Sequence, residues 1–165
     1  MPVREIIDIL LEDGRATPER IAVMTGLDVE VVRAKIAEWE RDGVIRRYKA
    51  VVDLERMRQV TGAETVTALI DVSVSPERGT GFDGVAARIA QFPEVRSVHL
   101  VSGGQDLRCV VTGSSIHEIG DFVARKLATI DRVSATATHF VMKAYKDDGV
   151  LLIEAAGDHR LTVAP

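Results

Sequence analysis

Residues 16–45 have the pattern of two short helices joined by a tight turn, and no other segment constrains the fold as strongly. Thr17 followed by Pro18 is a helix start, because the hydroxyl can accept a backbone N–H and proline has no N–H to leave unpaired. Gly26 can end that helix, and Asp28 can cap the next one. The pattern predicts a helix-turn-helix, a unit that suggests DNA binding.

Each predicted helix has one apolar side. The first helix is expected to turn Ile21, Ala22 and Met24 toward the core. In the second helix, apolar residues recur every three or four positions, which predicts one buried stripe: Val29, Val32, Ile36 and Trp39. The opposite side of the second helix would meet DNA, and it carries Glu30, Arg33, Ala34, Lys35, Ala37, Glu38 and Arg41.

Gly43 is expected to end the second helix, and residues 44–52 then form a basic, strand-like segment that predicts a wing. Cations on this wing would suit phosphates, because each cation placed on the DNA backbone releases condensed counterions. The predicted DNA contacts are Thr17, Glu30, Arg33, Ala34, Lys35, Arg41, Arg46, Arg47 and Lys49. On spacing alone, a helical hairpin without a ligand is an equally good interpretation.

The charge of this region argues against strong phosphate attraction. Residues 1–53 contain 9 cations and 11 anions, a net charge of −2, whereas DNA-binding domains are usually basic. Residues 28–42, which include the predicted recognition helix, contain five acids and three bases. Tight binding would therefore need dimerisation or good contacts to base edges.

The periodicity changes after residue 53. Residues 54–63 are interpreted as a linker, and residues 64–74 then alternate as a strand does. One face of that strand is apolar and carries Val66, Ala68, Ile70, Val72 and Val74.

Further along, residues 82–92 have helical spacing on Val85, Ile89 and Phe92, and Pro93 ends the helix. Strands are predicted at 95–101, 107–112 and 133–142. A capping box from Ser115 to Glu118 opens a second helix, whose apolar stripe is Ile116, Ile119, Phe122, Val123, Leu127 and Ile130.

The resulting order, βαββαβ, predicts a ferredoxin-like domain with one antiparallel sheet and both helices on one face. The chain is thus expected to be an α+β protein in four parts: a winged helix-turn-helix domain (1–53), a linker (54–63), the ferredoxin-like domain (64–145) and a C-terminal extension (146–165).

The second face of such a sheet has no helix to cover it. The last predicted strand is not fully polar on either side. A half-apolar uncovered face implies a partner, most simply a second copy of the chain. A homodimer would present two helix-turn-helix units to one pseudo-palindromic site in double-stranded DNA.

Several short motifs accompany this order of elements: Asp13-Gly-Arg-Ala-Thr17, Gly26-Leu27, Asp42-Gly-Val-Ile-Arg-Arg-Tyr48, Phe92-Pro-Glu-Val95, Ser102-Gly-Gly-Gln-Asp106 and Thr136-Ala-Thr-His-Phe-Val141. With them, residues 3–145 resemble the leucine-responsive (Lrp/AsnC) family of prokaryotic transcription regulators. The resemblance implies a homodimer held by the sheet domains, often assembled into tetramers or octamers, with an amino acid or related small molecule bound between subunits.

The resemblance also implies that the glycine-aspartate turn lines the effector site, here Ser102, Gly103, Gly104, Gln105 and Asp106, with Thr136, Thr138 and Phe140 as weaker candidates. Glycines would expose backbone N–H groups to a carboxylate, and Asp106 could pair with an ammonium. The alternative is an ordinary hairpin in which Gly103 and Gly104 supply positive φ and Asp106 caps the turn.

Two features depart from the family pattern. The recognition helix has Ala34-Lys35 and Ala37-Glu38 where consecutive basic residues are frequent, and the helix before Asp13 is short. The C-terminal extension could add an edge strand or pack on a neighbouring subunit.

Catalytic and metal sites have little support. The four histidines, His99, His117, His139 and His159, lack metal-binding spacing, and His99 and His139 would lie on opposite edges of the sheet. The single cysteine, Cys109, is expected to be a buried hydrophobe. We therefore expect no enzyme activity, no metal and no cofactor. A siroheme-decarboxylase-like enzyme and a sensor that acts through a protein partner are the alternatives.

The N-terminus is charged too early for a secretory signal, and no apolar run approaches membrane-spanning length. The expected location is the cytoplasm, without a membrane partner.

Overall fold

A computed structural model describes residues 2–76 and 81–153. The chain forms two compact units, Met1–Val51 and Val52–Pro165. Each unit has its own apolar core, and the cores are formed by different elements.

The N-terminal unit contains three helices: α1 (Pro2–Glu12), α2 (Pro18–Thr25) and α3 (Val29–Arg41). Both predicted caps are present, because the Thr17 hydroxyl accepts from the Arg20 N–H at 3.3 Å and the Asp28 carboxylate accepts from the Glu30 N–H at 2.8 Å. Gly26 ends α2 with a φ of 71°, a conformation that glycine adopts without strain. These local signals set the length and the ends of the helix-turn-helix.

The core of this unit is formed by one or two residues from each helix and by Ala16, which lies between α1 and α2: Ile6, Leu10, Ala16, Ile21 and Val32. Ile36 and Trp39 of α3 pack against this core. Of the predicted stripe on α3, Val32, Ile36 and Trp39 therefore face inward, and Val29 is partly buried outside this core. The prediction for Met24 is wrong, since its side chain is 57% exposed. Around the helix axis, Ala22 and Met24 lie on opposite sides of the buried Ile21. The side with Ala22 faces the core, so Met24 is left exposed.

The predicted strand-like wing is also wrong in one respect. Residues 44–53 pair with no strand in the described part of the chain. A strand needs a neighbour to receive its backbone hydrogen bonds, and the described secondary structure of this unit is entirely helical. The segment has no regular secondary structure, and its start is held to α3 by the Ile45 N–H, which donates to the Trp39 carbonyl at 3.0 Å.

The C-terminal unit begins with a short helix, α4 (Leu54–Thr61), inside the segment interpreted as a linker. Asp53 caps it by accepting from the N–H groups of Glu55 and Arg56 at 3.0 and 3.1 Å. No residue of α4 is buried. The helix is therefore defined by its capping residues rather than by a core.

The main sheet contains β1 (Val66–Val74), β2 (Val95–Leu100), β3 (Leu107–Gly113) and β4 (Val133–Phe140). Its order is β2-β3-β1-β4, and every pair is antiparallel. Together with α5 (Asp83–Ile89) and α6 (Ile116–Phe122), this is the predicted ferredoxin-like arrangement. His99 on β2 and His139 on β4 lie on opposite edge strands, as predicted.

One face of the sheet is covered by the two helices. Four of the β1 side chains predicted for this face are buried and Val66 is partly buried. They pack with Val85 and Ile89 of α5 and with Ile119 and Phe122 of α6. Cys109 is buried in the same core, as predicted for a small hydrophobe.

The helix α6 ends differently from its prediction. A π-helical turn, Val123–Leu127, follows α6, and the Ala128 N–H donates to the Val123 carbonyl at 2.8 Å. The wider turn lets Phe122 and Leu127, five residues apart, both enter the core. Ile116 was predicted to be part of the apolar stripe but is 55% exposed, because it lies in the first turn, at the end of the core.

The capping box before α6 is present in a shifted form. The Ser115 hydroxyl accepts from the Glu118 N–H at 3.1 Å, as predicted. The Glu118 carboxylate accepts from the backbone N–H of Ser114, one residue earlier than in the usual box, at 2.6 Å.

The described part of the C-terminal extension is a small hairpin, β5 (Lys146–Asp147) and β6 (Val150–Leu151). Asp148 and Gly149 form its turn with φ values of 43° and 84°. In the described residues the hairpin is a separate two-stranded sheet, so it adds no edge strand to β4. Residues 154–165 lie outside the described residues. No helix among the described residues is long and apolar enough to cross a membrane.

Candidate DNA interface and effector turn

The exposed side of α3 is the candidate DNA interface. Of the residues predicted for it, Glu30, Arg33, Ala34, Ala37 and Arg41 are exposed, while Lys35 and Glu38 are partly buried. Thr17 is also exposed, but its hydroxyl is used as the cap of α2. The helix therefore presents a face of mixed charge with two small residues at its centre.

Every cation on this face of α3 has an acidic partner. Arg33 contacts Glu19 of α2 and lies 3.5 Å from Glu30. Lys35 and Arg41 pair with the nearby carboxylates of Glu38 and Asp42 at 2.9 and 3.1 Å. Binding to phosphate would therefore exchange one ion pair for another, which weakens the net attraction.

Glu19 is a member of this interface that the sequence did not reveal. Its own backbone N–H and the Thr17 hydroxyl lower the pKa of the Glu19 carboxyl, and Arg33 lowers it further. The residue lies 14 positions before Arg33, too far apart for a helical spacing rule to connect them. The signal was the helix-turn-helix itself, which brings the start of α2 close to α3.

The basic segment after α3 presents Arg46, Arg47 and Lys49, all exposed. Within the described residues, no salt bridge involves Arg46 or Arg47. These two arginines are thus better placed to receive phosphate than the paired cations of α3.

Tyr48 fixes the position of this basic segment. Its hydroxyl donates to the Glu40 carboxylate of α3 at 3.0 Å. Its ring carbon Cδ1 lies 3.4 Å from the position that a Cβ would take at Gly14, so the ring packs against this glycine. Burial raises the pKa of the Tyr48 phenol, and the bond to Glu40 raises it further. Tyr48 was part of a family motif but was not predicted as a positioning residue.

The candidate effector turn, residues 102–106, connects β2 to β3 and is bonded to the end of β1. The Ser73 hydroxyl donates to the Gln105 side-chain oxygen at 2.6 Å, and the Val74 N–H donates to the Asp106 carboxylate at 2.8 Å. The pairing of β1 with β4 shifts its register between Ser73 and Val74. Asp106 thus holds a backbone N–H at this irregular point.

The exposed part of the turn is Ser102, Gly103 and Gly104. Gly103 has a φ of 147°, but Gly104 is not among the glycines with positive φ. The alternative hairpin interpretation, in which both glycines supply positive φ, is therefore correct for Gly103 and wrong for Gly104. Space around both positions is open, with no atom within 4 Å of a Cβ built on either glycine.

The β4 candidates point to the helix-covered side of the sheet. Thr136, Thr138 and Phe140 are opposite Val72, Ile70 and Ala68 in the β1 register, and directly paired residues share a face. Phe140 packs on the core, four residues or about 13 Å along the strand from Thr136. One chain therefore does not bring Phe140 to the 102–106 turn.

The uncovered face of the sheet has a charged centre that the sequence did not predict. Asp71 is only 7% exposed and forms two hydrogen bonds with Arg108, at 2.7 and 3.0 Å. His139 Nε2 lies 3.6 Å from the same carboxylate. Leu69, opposite Val110 on β3, is a neighbouring apolar residue on this face. No group of three possible metal ligands occurs among the described residues.

Comparison with known proteins agrees with this architecture. Residues 67–151 match the Lrp/AsnC ligand binding domain. The HTH-type transcriptional regulator YugG of Bacillus subtilis is 47% identical over 161 residues, which cover 98% of this chain and 95% of YugG. The match to YugG spans the helix-turn-helix as well as the sheet domain.

Two solved structures have the same fold. The leucine response regulatory protein LrpA of Mycobacterium tuberculosis has a TM-score of 0.71 and 23% identity, covering 92% of this chain and 98% of LrpA. The transcriptional regulator NMB0573 of Neisseria meningitidis, solved as an L-Met complex, has a TM-score of 0.68 and 23% identity, covering 88% and 91%. Given the domain match and the identity to YugG, the chain belongs to the Lrp/AsnC family of helix-turn-helix transcriptional regulators, which are not enzymes.

Proposed function

We propose that this regulator binds double-stranded DNA as a homodimer, and that an amino acid or related small molecule bound at the 102–106 turn changes that binding. The observation that carries the proposal is the pairing of two features in one chain. One is a capped helix-turn-helix with an exposed recognition face. The other is an exposed glycine turn that is bonded to the end of β1 through Gln105 and Asp106.

The uncovered sheet face is the proposed dimer surface. Among the described residues, Asp71 is the one buried charge, and Arg108 already neutralises it. Burying the face against a second copy therefore leaves the Asp71 carboxylate paired. Leu69 and Val110 supply apolar area beside the pair. Two copies related by a two-fold axis would place two α3 helices on a pseudo-palindromic site with half-sites about 34 Å apart.

The proposed effector is bound between subunits. In the turn, the backbone N–H groups near Gly103 and Gly104 would receive a carboxylate, and the oxygen of Asp106 not bonded to Val74 would receive an ammonium. We assign Thr136, Thr138 and Phe140 to the wall supplied by a neighbouring subunit, because β4 is an edge strand and these three side chains are only partly buried within one chain. Further assembly into tetramers or octamers would create such contacts.

In the DNA complex, Arg46, Arg47 and Lys49 would contact phosphates, and the exposed face of α3 would contact base edges. Thr17, Lys35 and Arg41 would contact the backbone at the borders of this surface. The regulator would act in the cytoplasm, where a prokaryotic chromosome lies, and it needs no metal or cofactor for this activity.

The effector proposal has one direct experimental test. Genomic fragments would be selected by the purified full chain, with and without each common L-amino acid, starting with L-methionine because the Neisseria regulator was solved with it. The expected result is a defined set of fragments whose recovery changes with one amino acid. Absence of salt-dependent binding to any fragment at low ionic strength would refute the proposal.

A second candidate function is a small-molecule sensor that acts through a protein partner. It is favoured by the ion pairing of the α3 cations and by two exposed apolar side chains on α2, Val23 at 86% and Met24 at 57%. Stable co-purification with one protein, insensitive to nuclease, combined with failure to select DNA, would support this candidate over the first.

A further inference from the structure

Glu30 places a negative charge on the side of the recognition helix that would face DNA, where it would be repelled by phosphates. It lies in the first turn of α3, and its side chain is 79% exposed. Ala34, Ala37 and Arg41 follow at intervals of four, three and four residues, so the four residues share one side of the helix. Because the two alanines are short, the Glu30 carboxylate extends beyond them. A helix that enters the major groove by this side would bring Glu30 to the base edges.

Arg33 reaches the same region from an adjacent position on the helix. Its Nε lies 3.5 Å from Glu30 Oε1, so the two charged ends are already neighbours. Arg33 also contacts Glu19 of α2, which orients the guanidinium from the other side. A carboxylate and a guanidinium held this close can meet the edges of the same base pair or of neighbouring pairs.

The chemistry of the base edges then limits what Glu30 can accept. In the major groove, guanine presents only acceptors and thymine presents an acceptor and a methyl group. Adenine offers an amine, but beside the N7 acceptor, which repels a carboxylate. Cytosine presents the N4 amine without an adjacent acceptor on the same base. Arg33 has the opposite preference, since its guanidinium donates two hydrogen bonds to guanine O6 and N7.

Resting on the proposed DNA-binding function, we propose that Glu30 and Arg33 together specify the half-site. Glu30 accepts a hydrogen bond from cytosine N4, and Arg33 donates to a guanine in the same or a neighbouring base pair. The acidity of α3 then acts as a selective feature. The Glu30 carboxylate is repelled by the acceptor groups of most sequences, which lowers their affinity for the helix. A sequence with a correctly placed cytosine avoids this repulsion and is favoured.

The test is a selection from random double-stranded DNA with the full chain. Four proteins are compared: the unmodified chain, Glu30→Gln, Glu30→Ala and the control Glu5→Gln, which removes an exposed carboxylate from α1. The unmodified chain should enrich a motif with cytosine preferred at least about five-fold at one position in each half-site. Glu30→Gln should shift that position to adenine, because an amide matches adenine N6 and N7.

The other variants complete the test. Glu30→Ala should lose the preference at that position and keep the rest of the motif, and Glu5→Gln should keep the whole motif. Arg33→Lys should weaken the guanine preference beside it. Circular dichroism would check folding, which is expected to persist because the Asp28 cap accepts from the backbone of Glu30 and not from its side chain.

The failing outcomes are distinct for this inference and for the function on which it rests. An enriched motif that is identical in the unmodified chain, Glu30→Gln and Glu30→Ala would overturn the base-reading role and leave DNA binding intact. Failure of the unmodified chain to enrich any sequence would overturn both. Should either substitution unfold the protein, Glu30→Asp keeps the carboxylate and should retain cytosine, with a weaker preference because the side chain is shorter. A change of the preferred base to guanine or thymine, which offer a carboxylate no donor in the major groove, would contradict the inference.

Discussion

Asp71 and Arg108 face each other across β1 and β3 and form a two-pronged ion pair on the face that the helices leave uncovered. Both strands are central in the sheet. Asp71 is buried, whereas the Arg108 side chain is 50% exposed, so only the arginine end of the pair contacts solvent. This geometry neutralises the centre of the proposed dimer surface before any partner arrives.

The first prediction concerns acid stability. The hydrogen bond from Arg108 lowers the pKa of the Asp71 carboxyl, and His139 lowers it further. A carboxyl with a lowered pKa in the folded state stabilises the fold above its unfolded pKa of about 3.9, and this contribution is lost as pH falls through the folded value. Asp71→Asn should therefore lower the Tm at neutral pH, and the difference from the unmodified chain should shrink as the pH falls below about 4.

Thermal unfolding measured from neutral to acid pH checks this prediction. Asp121→Asn is the matched control, since Asp121 is 68% exposed and lies 3.8 Å from Arg125. It should leave the Tm almost unchanged at every pH. A Tm difference for Asp71→Asn that stays constant down to strong acid would contradict the assigned cause.

The second prediction compares two isoleucines of α6. Ile119 is 1% exposed and packs in the sheet core, whereas Ile116 is 55% exposed. Ile119→Ala should lower the free energy of unfolding by about 2–5 kcal/mol, because it removes buried methyl groups and leaves a cavity. Ile116→Ala should change it by about 0.5 kcal/mol or less. Denaturant unfolding of the two variants measures the difference, and equal losses would show that the helix is rotated from the described position.

This pair of isoleucines also shows how far the sequence predicts the fold. Alternation correctly placed Ala68, Ile70, Val72 and Val74 on one face, because a strand has a period of two regardless of its neighbours. Helical spacing also predicted that Ile116 belongs to the buried stripe, and this prediction was wrong. Where the core ends along α6, and whether a π-helical turn follows Phe122, depend on the packing of α6 against the sheet. The spacing of apolar residues in the sequence therefore predicts neither feature.

The candidate sites divide in the same way. The caps and the glycine turn were predictable, since they depend on residues within a few positions of one another. The Glu19–Arg33 contact and the Asp71–Arg108 pair join residues that are 14 and 37 positions apart, and they follow only from helix packing and strand register. The prediction of a strand-like wing was wrong because a strand-like sequence forms a strand only where a neighbouring strand accepts its hydrogen bonds.

The third prediction concerns the basic segment after α3. If Arg46 and Arg47 each neutralise one phosphate, replacing both with alanine should reduce the slope of log affinity against log salt by about 1.8 per chain. The affinity should fall for all sequences alike, because phosphates carry no sequence information. Fluorescence anisotropy with a selected DNA fragment at several salt concentrations gives the slope. Arg4→Ala, an exposed cation on α1, is the control, and a slope unaffected by the double substitution would remove the segment from the interface.

The fourth prediction concerns Tyr48, which holds this segment to α3 through Glu40. Tyr48→Phe should keep the ring contact near Gly14 and lose only the hydrogen bond, so the fold should persist. DNA affinity should then fall modestly, because the cations beside Tyr48 are less well placed, while the salt slope should remain close to that of the unmodified chain. A variant with unchanged affinity at every salt concentration would show that the hydrogen bond has no part in positioning the cations.

The last prediction concerns Cys109, the single cysteine of the chain. Burial raises the pKa of its thiol to about 11, and Asp71 adds to the effect. Since the thiolate is the reactive form, the native protein at pH 8 should have a thiolate fraction roughly a hundred-fold or more below that of an exposed cysteine with a pKa of about 8.5. Burial adds a steric barrier, so the alkylation rate should fall at least as far. Iodoacetamide labelling followed by mass spectrometry should show almost no modification of the folded chain and rapid modification in denaturant. Because Cys109 lies in the strand next to β1 and packs in the core, rapid labelling of the native protein would mean that the sheet domain opens readily, and the rate would report how often it does so.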